Sequence, residues 1–271
     1  MAAGTRVESL PEECLSHVLS FASPTDACRS SAVSSAFRDA ADSDLVWENF
    51  LPSDYREIVS RSVSPVEFSS KKDLFRRLSS TPLLIDGGKK TFSIDKCTRK
   101  KIYMLSAREL SITWSTNSLY WSWKKPFLIS RFPEVVELVM VCWLEIHGKI
   151  NISMLSPDTT YGAYLIIQLL DRAFGLDTVL SEVSIEVGNY RMQRPIHLKR
   201  DQCRKEGLEG LRRGEDEEVI RARGDGWLEV ELGEFYNNGS EKEVKMWFRE
   251  TKGVHLKGGL LVEGIELRPK E

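Results

Sequence analysis

The sequence is short of charge of any one sign. Its 38 lysines and arginines face 40 aspartates and glutamates, a formal net charge of -2 over 271 residues. Such a balance removes the one-signed field that draws in nucleic acid or an anionic membrane, so neither is the default partner. Long apolar runs are missing as well. The stretches 135–146 and 164–170 are broken by Glu137, Glu145 and Gln168, and each falls short of the roughly 20 residues a spanning helix needs. Cysteines are few and scattered: Cys14, Cys28, Cys97, Cys142 and Cys203 include no Cys-x-x-Cys pair. That excludes a disulfide framework and a tetrahedral zinc site read from spacing, and it suits reduced thiols in the cytoplasm or nucleus. Cys14, Cys28 and Cys142 sit in apolar periodic patterns and are expected as small buried hydrophobes. Residues 1–7 hold one arginine and no signal-peptide core, so no secretory route is expected. The sequons at Asn151 and Asn238 are then chemically idle. His17, His147, His197 and His255 are far apart in sequence. Nucleophile elbow, His-Glu-x-x-His and phosphate-loop motifs are all absent. The expectation is a protein without catalytic residues, metal or cofactor.

What is present falls into two grammars, in a length that suits two domains. The first fifty residues have helical periodicity. Leu10, Cys14, Leu15, Val18 and Leu19 gather on one stripe, with Ser9 and Glu12 as a capping box and Pro11 in the first turn. Ser23-Pro24-Thr25-Asp26 repeats the start signal and predicts a second helix through Cys28, Ala32, Ala36, Phe37 and Ala40 to Asp42. Leu45, Trp47, Phe50 and Leu51 predict a third. A connector over 53–82 is serine-rich, and Leu74, Phe75 and Leu78 share a helical face near its end.

Beyond Pro82 the period becomes two. Residues 91–95 and 228–232 alternate, and 135–146, 161–170, 183–187, 244–248 and 260–267 add strand candidates between turn signals. Many strands without intervening helices predict an antiparallel β-sandwich, jelly-roll-like. Residues 199–225 alternate basic and acidic groups and read as a long solvated loop. Trp143, Trp227 and Trp247 lie in strands and are expected in the core or between sheets.

Leu10-Pro11-Glu12-Glu13-Cys14-Leu15, Leu19, Pro24, Asp26, Cys28-Arg29, Val33-Ser34, Phe37-Arg38 and Val46-Trp47 resemble the F-box pattern in order and spacing. The second half resembles the phloem protein 2, or Nictaba-type, lectin domain. Its carriers are 101–113 (KIYMLSARELSIT), 143–150 (WLEIHGKI), 227–235 (WLEVELGEF) and 258–269 (GGLLVEGIELRP). The resemblance implies an α+β multidomain chain: an F-box bundle over 6–52, a helical connector over 53–82 and a lectin β-sandwich over 83–269.

It further implies the substrate-recognition subunit of a Skp-cullin-F-box ubiquitin ligase, acting in cytoplasm and nucleus without bond chemistry of its own. Leu10, Pro11, Leu15, Leu19, Pro24, Val33 and Trp47 would meet a Skp-type adaptor, and through it a cullin, or pack the bundle's core. Trp114 and Trp121 match the tryptophans implicated in glycan binding, with Tyr120 and the Ser115–Ser118 turn beside them. Thr116-Asn117-Ser118 replaces the acidic, proline-containing stretch usual there. An aromatic ring suits the apolar face of a pyranose, while polar neighbours take its hydroxyls. Two other functions stay open: a lectin fold reused to bind a protein surface, and a phloem-type lectin or RNA-associated protein outside the ligase. The RNA alternative rests on Lys199, Arg200, Arg204, Lys205, Arg212 and Arg213.

Overall fold

The computed structural model describes residues 10–127, 129–198 and 220–270. Residues 6–9 of the expected F-box with the capping Ser9, and 199–219 with Cys203, the six basic residues and most of the charged loop, lie outside the described residues. The chain divides into two compact units, Met1–Ile85 with Phe92–Lys101, and Asp86–Thr91 with Ile102–Glu271. The first unit thus runs past the expected boundary at residue 83.

Its described helices are α1 Glu12–Leu19, α2 Pro24–Ser30, α3 Ser35–Asp42, α4 Asp44–Phe50, α5 Tyr55–Ser60 and α6 Lys71–Ser80. Pro11 itself is the N-cap of α1, in extended conformation, with no side-chain cap bond. Ser23 behaves as its neighbours predict: its Oγ accepts the Asp26 N–H at 3.0 Å and donates to the Asp26 carboxylate at 2.8 Å. The single helix expected over 23–42 is two. Ser34 turns extended and its Oγ accepts the Phe37 N–H at 3.3 Å, which starts a new helix after the turn at 31–34. Helix α5 was not expected; its Tyr55 and Ile58 are buried.

The core of this unit closes on Trp47. Its ring lies 5.3 Å from both Phe50 and Phe75, and its Nε1–H donates to the Ala41 carbonyl at 2.7 Å. Leu74, Phe75 and Leu78 of α6 are buried, as their spacing predicts. Each such side chain contributes about 1.5–3 kcal/mol by leaving water. Between α4, α5 and α6, Glu48 gathers Tyr55, Arg56 and Lys71. Their exposure leaves these pairs largely screened by water. Strand β1 (Leu83–Ile85) bridges back to Ser62, so the connector is tied down.

Strands follow as β2 Lys90–Ile94, β3 Lys101–Ser106, β4 Ser111–Ile112, β5 Trp121–Lys124, β6 Val135–Leu138, β7 Leu144–Asn151 and β8 Thr159–Phe174. Then come β9 Ser181–Val187, β10 Tyr190–Ile196, β11 Ile220–Ala222, β12 Leu228–Asn237, β13 Glu243–Glu250 and β14 Gly258–Pro269. In the second unit one sheet is ordered β3-β14-β8-β12-β11, with β6 on β14 and β5 on β6; the other is ordered β10-β9-β13-β7-β4. The pairs are antiparallel. Alternation decides which face is dry: Leu144, Ile146 and Ile150 of β7 and Val244, Met246 and Phe248 of β13 are buried. Gly148 marks how close the sheets come, because a Cβ there would stand 2.7 Å from the Ile265 side chain of β14. This is a β-sandwich.

Several expectations change. The run 135–146 is not one strand but β6 and β7 in different sheets, broken at 139–143. Strand β10 was not expected, and β11 lies where a loop was read. Trp227 is buried and donates from Nε1 to the Ile129 carbonyl at 2.8 Å. Trp143, by contrast, is 45% exposed, since it stands in that break on the outward parity of β7. Trp247 points to the same wet face and stacks on His147 at 4.7 Å. Cys14, Cys28, Cys97 and Cys142 are free and exposed. Leu15 and Leu19 take the buried stripe of α1, and Pro24 and Ala27 that of α2, so Cys14 and Cys28 face outward.

Candidate recognition surfaces

In α1 the buried stripe is Leu15, Ser16 and Leu19. Residues 14 and 18 are four apart and share the neighbouring face, while Leu10 and Phe21 flank the helix just before its N-cap and just after its C-cap. Leu10, Cys14, Val18 and Phe21 are all exposed, Phe21 to 78%. His17 meets the Phe21 ring edge-on at 5.0 Å. Val33 and Leu45 are exposed too. The seven adaptor candidates therefore separate. Leu10, Pro11 and Val33 face outward, while Leu15, Leu19, Pro24 and Trp47 belong to the core. Val18, Phe21 and Leu45 were missed by sequence reasoning. For Val18 the signal was its place beside the buried stripe of α1, hidden because both fit one broad helical face; Phe21 and Leu45 lie outside that helix.

The second surface is the turn before β5. Ile112 of β4 is paired to β7, and the next residue's N–H, on Thr113, donates to the Glu145 carbonyl at 3.1 Å. Trp114 then adopts a left-handed φ of 60°, a conformation that strains a bulky side chain. The turn is closed by Asn117, whose N–H donates to the Trp114 carbonyl and whose own carbonyl accepts from Tyr120 and Trp121, each at 3.0 Å. Two indoles clamp it from behind: Trp121 Nε1–H donates to the Thr113 carbonyl at 2.9 Å and Trp123 Nε1–H to the Ser115 carbonyl at 3.1 Å.

The proposed aromatic trio is thereby split. Trp114 is 46% exposed and its ring sits 5.3 Å from Tyr120, which is half-buried. Trp121 is only 1% exposed, so it offers no face to a sugar and instead positions the turn. Its alternation with the outward Ser122 put it on the dry side of β5. Around the turn stand apolar groups that sequence reasoning did not select. The Tyr120 carbonyl accepts the Val139 N–H at 2.9 Å, and Leu119, Val139 and Met140 are exposed. Trp143 donates from Nε1 to Glu145 at 3.3 Å. Exposed apolar side chains are the kind of group a recognition surface uses.

Charge supports the sheet behind it. Burial would raise the Glu137 carboxyl of β6, but Lys124 of β5 and Arg172 of β8 hydrogen-bond to it and hold it below its ordinary value. On β14, burial likewise opposes ionisation of Glu266. Arg131, Arg223 and Arg268 overcome it and bring the carboxyl from 4.5 to about 2. Glu263, at a bulge of β14, accepts from Ser130 Oγ at 2.7 Å and the Arg131 N–H at 2.8 Å, yet burial wins and its carboxyl is pushed up. Among the described residues no group of three or more His, Cys, Asp or Glu could hold a metal ion.

Comparison with known proteins matches residues 7–53 to the F-box-like family and residues 100–269 to the phloem protein 2 family. F-box protein PP2-B15 of Arabidopsis thaliana is 49% identical, over 96% of this chain and 96% of its own. F-box protein VBF of the same plant is 44% identical over 96% of this chain and 99% of its own, and F-box protein PP2-B13 is 43% identical over 96% and 98%.

Proposed function

Since the chain belongs to the F-box proteins that carry a phloem protein 2 domain, and so has a substrate-recognition role, we propose that it is the receptor subunit of a Skp-cullin-F-box ubiquitin ligase in cytoplasm and nucleus. The helical unit docks on a Skp-type adaptor, and the β unit selects glycosylated proteins. The observation that carries this reading is a set of apolar side chains the first unit's own core does not use: Val18 on α1, Leu10 just before that helix and Phe21 just after it, with Pro11 and Val33 also exposed. A helix that leaves such anchors in water has them available for a partner's groove. Recognition by the β unit rests on the exposed Trp114 ring beside Tyr120 and the hydroxyl- and amide-bearing turn 115–118. The chain itself forms and breaks no bond in this scheme; it brings a target to the ligase.

A second reading of the β unit, a protein surface in place of a sugar, is favoured by Leu119, Val139 and Met140, aliphatic groups that no pyranose needs. Purified full chain bound to its adaptor, applied to a glycan array before and after Trp114→Ala, separates the two. Glycan signals that vanish with the substitution support the lectin reading. An array blank for the unaltered complex refutes it and leaves the protein surface.

A further inference from the structure

At the other end of the sandwich from the Trp114 turn lies a cleft of about 540 Å³, inside the roughly 300–1,000 Å³ range of small-ligand sites. The Val187↔Tyr190 pair closes the hairpin of β9 and β10 with the two-residue turn Gly188-Asn189. Gly188 has φ 55°, and a Cβ there would stand 2.3 Å from the Glu241 carboxylate. The turn and the segment between β12 and β13 therefore approach closely because position 188 is glycine. The floor of the cleft is apolar, with Val187 and Phe235 buried. Its walls carry Tyr190, 48% exposed, and Tyr236, 56% exposed. Polar groups rim it.

The distance from the first surface follows from β7. Thr113 bonds to Glu145 near the start of that strand, whereas Ile152, just past its end, donates to the Lys242 carbonyl at 3.0 Å, next to Glu241. Six residues of strand separate Glu145 from Asn151, about 20 Å. No ligand on the Trp114 ring is held by this cleft without spanning that length.

From this arrangement we propose that the cleft is a second, separate carbohydrate-binding site, specific for a neutral oligosaccharide. The inference rests on the reading that the β unit recognises glycans. Exposed phenol rings over an apolar floor suit the C–H face of a pyranose. Hydroxyls need groups that both donate and accept, and the rim supplies them in Asn189, Tyr190 and Asn238. Among the described residues the side chains of Asn189, Tyr190 and Glu241 have no hydrogen-bond or ion-pair partner, so they are free for a ligand. Charge argues for a neutral guest. Of the two lining carboxylates, Glu234 sits 2.6 Å from Lys270, and Glu241 has no partner among the described residues. A strongly cationic ligand would need more than that.

The test is titration calorimetry of the full chain with cellotetraose, chitotetraose and mannotetraose, and with a trimethyllysine peptide as the cationic probe. At least one tetrasaccharide should bind. Tyr190→Ala and Tyr236→Ala should each weaken it about tenfold. Tyr236→Phe should keep most of the affinity, and melting should be unchanged because both rings are exposed. A tetrasaccharide lost with Trp114→Ala but indifferent to both tyrosines refutes the second site and leaves the proposed function standing. No tetrasaccharide bound by the unaltered chain overturns the second site together with the glycan reading of the β unit. Tyrosine-dependent binding of the cationic peptide alone overturns the ligand class.

Discussion

Replacing Phe21 and Leu15 one at a time should separate adaptor binding from folding, although both lie on or beside the same short helix. Phe21 is 78% exposed and touches little beyond the edge of His17. Burying a whole phenylalanine side chain against a partner contributes about 1.5–3 kcal/mol. Scaled by the fraction still open to water, Phe21→Ala should cost about 1–2 kcal/mol of adaptor affinity, roughly 5- to 30-fold. Leu10, 38% exposed, scales to about 1 kcal/mol or less. Leu15 is 1% exposed, and its truncation belongs with core cavities, at about 2–5 kcal/mol of stability. The assay is calorimetric titration of purified adaptor into each variant, paired with thermal unfolding. Phe21→Ala should keep its melting temperature and lose affinity; Leu15→Ala should lose melting temperature first. Unchanged adaptor affinity in a folded Val18→Ala, Phe21→Ala double variant would refute the assignment of these side chains as the docking face.

Two further outcomes follow from backbone strain and buried charge. Because Trp114 holds a left-handed φ of 60°, Trp114→Gly should be more stable than Trp114→Ala by about 1 kcal/mol, read as a higher unfolding midpoint, while both remove the ring. Glu266, lowered from 4.5 to about 2, contributes stability that is complete above pH 4.5 and lost as pH falls toward 2, on the order of 3 kcal/mol. Glu266→Gln should flatten that acid limb and lower stability at neutral pH. Glu263, raised by burial, has the opposite sign: ionised above its folded pKa it costs stability, so Glu263→Gln should stabilise at pH 7. Denaturant titrations from pH 7 to pH 3 check both.

Much was legible in the amino-acid order because the controlling physics is local. Ser23-Pro24-Thr25-Asp26 announces a helix start since the capping oxygen and its target N–H are three residues apart, and the structure makes that bond. Leu74, Phe75 and Leu78 declare a buried helical face by spacing alone. The alternation in 244–248 marks a strand with one dry side, whereas in 228–232 it marks the strand but not its wet face, because Glu229 is buried on Arg223 and Arg268. The two families were readable for the same reason, as ordered short phrases.

Tertiary structure decided what depends on which neighbour arrives. Ser34 can continue a helix or cap one, and it caps α3, so one expected helix became two. Trp114, Trp121 and Trp143 are chemically alike in sequence. Only the pairing of β5 with β6 puts Trp121 in the core, and only the break between β6 and β7 leaves Trp143 in water. Leu10 and Leu15 both fit the apolar face of α1, and packing in the bundle chose Leu15 for the inside. The Tyr190 and Tyr236 cleft had no signal in the sequence at all: its two tyrosines are 46 residues apart in the chain, on β10 and β12 of different sheets. Periodicity and capping act over one to four residues, whereas burial and site assembly are set by contacts between strands that the chain brings together only once it has folded.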